Sequence, residues 1–588
     1  MNTDSLRASL DYEPQALKFG TSGRRGEVIH LTQLEIYINA LAELEYLQSL
    51  RRAEGGISLG EPFYFAFDLR PSSSQFVAEQ GGRGGIAQAV ERAIRDSGMQ
   101  PVNLGRIPTP ALTFYALQRG QGSMMITGSH IPFDRNGYKT NSAKGELLKK
   151  DEAPIDARVE EVRRRLYSQA CAESLFNRHG FLKCGHQALM PENSAGRDAY
   201  IRRYTEFFEG RSLTGQRLLV YQHSAVGRDM LVEILRQLGA EVIPAGRSET
   251  FVPIDTENIE EDQLKKIQML SNEAWSEHGP LEAVVSTDGD SDRPLILGVE
   301  KPAGTEKSPG RAQFFGGDLV GMIVAELLSP DGVVVPISCN DAVDQGSLQG
   351  MLEPKTRIGS PHVIAGMEKA RQKGRNRICG WEANGGFLTG SDMELRGKVL
   401  PALPTRDAVL PILGVLFSMA GQRVSMRALF AGLPKRFSRA ALLKKFPGPA
   451  SQQIIKRFSP RDERIKEVVF DKKGVVVRDE DQITTPSSGT EELITLRDDL
   501  SSFFTLALGF DSITRINYID GVRAYFSNGD VAHVRPSGNA DELRIYAVAD
   551  TQARADDIAR AGVADPDGIL RRLERAVAKQ ANSNSRSR

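Results

Sequence analysis

Residues 217–244 read Arg-Leu-Leu-Val-Tyr-Gln-His-Ser-Ala-Val-Gly-Arg-Asp-Met-Leu-Val-Glu-Ile-Leu-Arg-Gln-Leu-Gly-Ala-Glu-Val-Ile-Pro. The apolar run 217–222 predicts a strand, 228–238 a helix ended by Gly239, and 241–244 the next strand, with 283–286 following as another. The same βαβ rhythm occurs earlier, with strands at 63–67 and 124–126 around a helix at 86–96, and later, with strands at 332–337 and 377–379 around a helix at 362–372. Helices between strands imply parallel pairing, so the fold class is α/β with three tandem units that have the look of diverged repeats. Beyond about residue 420 the pattern changes. Residues 436–445 and 457–472 are charge-rich, 484–490 is polar, and short strand-like runs at 512–517, 522–526, 531–534 and 542–548 precede a helix at 569–579. These predict a smaller C-terminal α+β domain. The expected boundaries are 1–195, 196–308 and 309–420 for the α/β domains, 421–495 for a linker or insertion, and 496–588 for the last domain, with 581–588 disordered.

A chain of 588 residues exceeds what one core supports. Lys plus Arg and Asp plus Glu number 75 each, so no net field favours nucleic acid. The four cysteines are scattered, there is no apolar leader, and no run of apolar residues is long enough to span a bilayer. A cytoplasmic protein with a small-molecule partner, neither membrane-bound nor on nucleic acid, is expected.

Ligand loops in such sheets follow the carboxyl ends of strands, and the chemistry-bearing segments all sit there. Asp288, Asp290 and Asp292 alternate after the 283–286 strand and can turn one oxygen each toward a hard divalent cation. An EF-hand is excluded, because its sixth position is Arg293 instead of Gly and its twelfth is Val299 instead of Glu. Ser129 lies in the turn after 124–126, placed to attack, with His130 and Lys139 nearby as hydrogen-bond or acid/base partners; alone it would pass for a capping serine. Residues 380–386 present Glu382 and Asn384 between glycines, suited to paired sugar hydroxyls. Residues 535–539 bring Arg535, Ser537, Gly538 and Asn539 together as a nest for a phosphate dianion. Residues 20–25 add a small loop with two cations. The glycines at 81–85 lack a preceding strand and a following Gly-Lys-Ser/Thr, so they read as an approach to a helix.

In this order the motifs resemble the α-D-phosphohexomutase superfamily over roughly residues 15–560, nearest its bacterial phosphomannomutase branch. Residues 19–26 look like the family's N-terminal loop, 108–112 like its Thr-Pro-Ala-Leu element, 127–132 like its phosphoserine loop, and 288–293 like its metal loop. Residues 380–386 occupy the place of its sugar loop and 535–539 that of its phosphate loop.

The resemblance implies four domains around a central cleft. Ser129 would be the phosphoserine, and Ser129, Asp288, Asp290 and Asp292 would hold Mg²⁺. Arg25, His130 and Lys139 would assist transfer, and Arg293 would stabilise charge. Glu382, Asn384, Arg535, Ser537, Gly538, Asn539, Arg544, Thr21 and Ser22 would bind substrate. A hexose 1,6-bisphosphate would serve as activator and intermediate, and the protein would be a monomer or homodimer. Gly128 and Ile131 stand where Ala and Asn are commoner, and Ser291 where glycine is. The sugar loop reads Glu-Ala-Asn-Gly-Gly, and the phosphate loop has Asn539-Ala540 for Thr-Glu. The expected activity is phosphomannomutase. Phosphoglucomutase or a dual activity is the alternative, followed by phosphoglucosamine mutase, a sugar phosphatase, or a phosphosugar-binding paralogue without turnover.

Overall fold

The computed structural model describes residues 4–257, 259–300, 308–471, 474–480, 483–485, 489–537 and 541–586. They form two compact units, one of Met1–Asp331 with Ser360–Phe430 and one of Gly332–Gly359 with Ala431–Arg588.

In the first unit, strand Pro62–Phe67 lies between two parallel neighbours, Gln100–Asn103 and Ser123–Ile126. The chain then turns back, and Arg135–Ser142 pairs antiparallel with Ser123–Ile126. A second sheet repeats this plan. Arg217–His223 lies parallel between Glu241–Arg247 and Ala283–Thr287, and Pro294–Glu300 returns antiparallel to Ala283–Thr287. A third turn-back joins Ile378–Trp381 to Phe387–Thr389, which pairs with Leu403–Asp407. The Ser129 loop, the aspartate loop and the 382–386 loop therefore occupy one and the same place, the reversal after a buried strand. The first two sheets repeat one topology, the third shares their strand reversal, and that recurrence sets the loops up to meet.

Helix Gln33–Ser49 starts at Thr32, whose hydroxyl accepts the Glu35 N–H at 3.1 Å. It packs on helices Ile86–Asp96 and Lys149–Tyr167. Leu34, Ile38 and Leu41 bury against Phe63, Phe65 and Ile155, closing the core under the first sheet. Burying both faces of central strands explains their continuous apolar character.

The second unit carries an eight-stranded antiparallel sheet in the order 437–444, 542–549, 531–536, 522–526, 513–517, 467–471, 474–478, 484–485. The four runs expected between 512 and 548 are strands here. Residues 437–478, expected as linker or insertion, instead supply three strands of this sheet. Most of their charges fall on exposed or half-buried positions, Glu467 being buried and paired with Arg478, while Leu443, Val468 and Val477 enter the core with Phe510, Ile516 and Ile545, which is why composition alone hid them. Helix Ile569–Arg586 runs on through most of the segment expected as a disordered tail, anchored by Ile569, Leu570 and Leu573. Strand Gly332–Val334 is shorter than the 332–337 expected, since Pro336 has no N–H to continue a ladder. Among the described residues no helix is long and apolar enough to cross a membrane.

Candidate functional site

Ser129 is buried and sits at φ +54°, a left-handed conformation that non-glycine residues seldom adopt. Three contacts hold it there. Its N–H donates to Thr127 Oγ1 at 2.7 Å, its carbonyl accepts from Arg70 Nη2 at 2.9 Å, and its hydroxyl donates to Asp288 Oδ2 at 2.8 Å. The metal loop presses on this turn so closely that a Cβ at Gly289 would lie 2.7 Å from the Ser129 carbonyl oxygen. Ser291, in the position where the family favours glycine, adopts φ +57°; its hydroxyl oxygen accepts the Gly227 N–H at 2.9 Å and the Thr287 hydroxyl at 2.8 Å.

Asp290 and Asp292 are each tethered through one oxygen, and Asp288 through both, Oδ2 taking the Ser129 hydroxyl. Asp288 Oδ1 accepts the N–H groups of Asp292 and Arg293 at 3.1 and 3.2 Å. Asp290 Oδ2 accepts from Lys139 at 2.7 Å and from Thr109 at 2.6 Å, and Asp292 Oδ2 from Lys139 at 2.7 Å and from Arg406 at 2.8 Å. Asp290 Oδ1 and Asp292 Oδ1 are buried without a hydrogen-bond partner. One ligand oxygen from each of the three lies within 4.8 Å of the others. Orphaned carboxylate oxygens converging in a buried place fit a hard divalent cation such as Mg²⁺. Charge agrees with this. Asp288 is raised well above the usual carboxylate range by burial and then by Asp290 and Asp292, so the local negative charge is under-compensated. Asp290 and Asp292 are lowered, since against burial the cations Lys139 and Arg406 prevail.

Of the other expected residues, Arg293 is mostly buried, with Nε 3.6 Å from Asp292 Oδ1. Arg25 donates to the carbonyl oxygens of Arg24 and Tyr138 at 2.8 and 3.2 Å; burial lowers it to about 10, still a cation at neutral pH. His130 is half-buried beside Ser129. Ser22 donates to Glu146 at 3.4 Å, and Thr21 lines the same small pocket as Ser22 and Lys139. Glu382 is buried and accepts from Arg406 Nη1 at 2.9 Å, while Asn384 folds its loop by accepting the Gly386 N–H at 3.0 Å. In the second unit, Arg535 donates to Asp520 at 3.1 Å and pairs across strands with Arg544, which donates to Glu542 at 2.9 Å. Ser537 is half-buried at the end of that strand pair. Gly538 and Asn539 lie outside the described residues.

Sequence reasoning missed Asp68, Arg70 and Arg406. Arg70 is buried and donates to four carbonyl oxygens of the serine loop, those of Ser129, Ile131, Pro132 and Arg135. Its guanidinium lies 3.8 Å over the Phe251 ring on one side and against Gly128 on the other, where an added Cβ would come within 2.5 Å of Nε. Gly128 in place of the commoner Ala thus leaves room for Arg70. The available signal was Asp68-Leu69-Arg70 directly after a strand, a charged pair at a carboxyl end. Gly128→Ala is expected to displace this guanidinium and destabilise the first unit by about 2–4 kcal/mol, as overpacking and lost hydrogen bonds add. A denaturant melt indistinguishable from wild type would contradict the packing described.

His223 supports the metal loop from below, donating from Nε2 to the Thr287 carbonyl at 2.8 Å. Burial, with Arg228 and Lys266 adding, lowers it from 6.5 to about 4. A neutral buried histidine contributes stability that is complete above pH 6.5 and is lost as pH falls toward about 4, because the unfolded chain takes up the proton first. The loss over that window is roughly 3 kcal/mol. Melts from pH 7 to 4 should show it, and His223→Gln should flatten that part of the curve.

Residues 16–165 match the family described as phosphoglucomutase/phosphomannomutase, alpha/beta/alpha domain I, and residues 504–564 match its C-terminal domain. The chain is 35% identical over 547 residues to a phosphomannomutase of Sinorhizobium fredii, covering 93% of this chain and 98% of that one. It is 32% identical over 543 residues to a phosphomannomutase of Salmonella muenchen, covering 92% and 94%. The solved structure of a phosphoglucomutase/phosphomannomutase family protein from Burkholderia thailandensis superposes with a TM-score of 0.58 at 17% identity, covering 95% of this chain and 97% of its own. The pp63/parafusin phosphoglucomutase of Paramecium gives 0.54 at 15% identity, covering 92% of each chain. At such identities the structures speak to the fold alone.

Proposed function

Because this chain belongs to the phosphoglucomutase/phosphomannomutase family, we propose that it is a phosphomannomutase, interconverting mannose 6-phosphate and mannose 1-phosphate through a phosphorylated Ser129. The observation that carries the reading is the Ser129 hydroxyl 2.8 Å from Asp288, within a buried aspartate triad, in a chain matching curated phosphomannomutases along nearly all their length.

Phosphoserine 129 donates its phosphoryl group to the free hydroxyl of the bound sugar phosphate, giving a hexose 1,6-bisphosphate. After the bisphosphate reverses its orientation, the other phosphoryl group returns to Ser129, so one site serves both half-reactions. Such transfer depends on alignment and on balancing charge at the phosphoryl oxygens. Ser129 is prealigned by Thr127 and Arg70. Asp288, Asp290, Asp292 and the seryl oxygen would hold Mg²⁺, which when bound neutralises phosphoryl charge. Lys139 and Arg293 supply further positive charge beside the triad, and Arg25 and His130 are placed for contacts to phosphate or for proton transfer. Glu382 and Asn384 receive sugar hydroxyls. In the second unit Arg535, Arg544 and Ser537 offer two guanidiniums and a hydroxyl suited to a phosphate dianion, with Gly538 and Asn539 as the loop's remaining members.

The test is ³¹P NMR of the protein with Mg²⁺, a trace of hexose 1,6-bisphosphate and, separately, mannose, glucose or glucosamine 1-phosphate. Mannose 6-phosphate should appear fastest. Faster glucose conversion would reassign the substrate, free phosphate alone would indicate a phosphatase, and no conversion of any sugar would end the mutase reading. Removing divalent ions with a chelator should abolish conversion, and adding Mg²⁺ should restore it.

A further inference from the structure

Arg406 opens on no expectation from the sequence, yet it is the side chain on which two loops of the site converge. It is buried, and its guanidinium is shared between two carboxylates. Nε and Nη2 donate to Asp292 Oδ2 at 3.1 and 2.8 Å, and Nη1 donates to Glu382 Oε2 at 2.9 Å. Both acceptors are also buried, so Arg406 stands in for the water each has lost. The loops touch around it. A Cβ at Gly386 would lie 2.6 Å from the Arg406 side chain, and one at Gly385 would lie 2.8 Å from Pro294, the residue after the metal loop.

The guanidinium is itself held in place. Its neighbour Thr405 donates to Glu146 at 2.5 Å, and Ser360, which accepts from Nη1 at 3.3 Å, donates to the other oxygen of Glu146 at 2.6 Å. On the other side Asp407 accepts the hydroxyls of Tyr200 and Tyr204 and caps the following helix through the Val409 N–H at 3.0 Å. Arg406 therefore has little freedom to drop one carboxylate and keep the other.

We propose that Arg406 is a positioning residue that couples metal binding to sugar binding, by making one rigid fork hold Asp292 of the metal triad and Glu382 of the sugar loop. With Asp292 Oδ1 engaged by a cation that carboxylate would be ordered, its Oδ2 would orient Arg406, and Nη1 would orient Glu382 toward the sugar hydroxyls. Linkage runs equally in reverse: a sugar that orders Glu382 raises the affinity for metal by the same factor. A lysine cannot replace the fork, since one ammonium on a flexible stem does not hold two carboxylates in a fixed plane.

The inference rests on the reading of Glu382 as a sugar ligand, and the experiment separates the two. Mn²⁺ binding to the unphosphorylated protein, which has no phosphoryl group to donate, is followed by electron paramagnetic resonance with and without saturating mannose 6-phosphate. Sugar binding is followed by calorimetry with and without Mn²⁺. In the wild-type protein each ligand should tighten the other by about threefold or more, by equal factors within error. In Arg406→Lys the mutual effect should vanish while Mn²⁺ still binds. Loss of coupling with metal binding preserved is not what a merely structural defect produces. Retention of the wild-type coupling in Arg406→Lys overturns the inference. So does absence of coupling in the wild-type protein, a measurement that decides even where the variant fails to fold. If ³¹P NMR shows conversion by the wild-type protein without coupling, only the role of Arg406 falls. If the protein neither binds nor converts the sugar, the functional reading falls and carries this inference with it.

Discussion

Ser129→Ala should reduce interconversion of the two mannose phosphates by about 10⁴-fold or more, because the atom that carries the phosphoryl group between half-reactions is gone. His130 and Lys139 are nucleophiles in principle, but Lys139 is committed to Asp290 and Asp292 at 2.7 Å each. The fold should tolerate the change. Only one hydrogen bond, Ser129 to Asp288, is lost from the loop, at a cost of about 1 kcal/mol, while the Arg70 and Thr127 contacts to the backbone remain. The expected signature is therefore an inactive protein with a nearly normal melt and with Mn²⁺ binding weakened by one ligand but still carried by the three aspartates. It should also fail to take up phosphate from hexose 1,6-bisphosphate, as mass spectrometry would read directly. Residual conversion within tenfold of wild type would place the phosphoryl carrier elsewhere.

Lys139→Met should have the second-largest effect, and on stability as well as on activity. Lys139 is 4% exposed and is shared by two carboxylates that are almost wholly buried. Removing it leaves Asp290 with the Thr109 hydroxyl alone and Asp292 with Arg406 and the more distant Arg293. Taking one partner from a buried ion cluster costs about 3–5 kcal/mol, since Asp290 is then left with neither water nor a contacting cation. The metal-free variant should therefore melt well below wild type. Mg²⁺ should recover more stability in the variant than in wild type, because a divalent cation replaces part of the missing charge and ligand binding adds stability by mass action. Turnover should stay depressed even at saturating Mg²⁺, since Mg²⁺ does not restore the ammonium. Equal Mg²⁺-induced stabilisation of variant and wild type would show that Lys139 does not balance the triad.

Much of this site was legible beforehand because its chemistry is local. Ser129 and the three aspartates lie within a few residues of a strand end, and apolar runs followed by polar loops announce that arrangement in one dimension. Positions 513–549 were likewise readable, their strands being separated by Gly, Asn and Asp turns. Residues 437–478 were not, because strands with one exposed face, the first of them at the sheet edge, carry charges that look like a linker.

What the sequence determined on its own was the alternation of strands and helices, the strand ends that carry polar loops, and the placing of Ser129 and of the three aspartates in such loops. What only the tertiary structure decided was which cations serve those carboxylates. Arg70 lies 59 residues from Ser129, and Arg406 lies 114 residues from Asp292. Neither has a spacing or a periodicity that marks it, since a buried arginine is selected by the carboxylates and carbonyl oxygens that fold around it. Such partners are fixed by desolvation, a property of the packed three-dimensional environment that no local stretch of chain possesses.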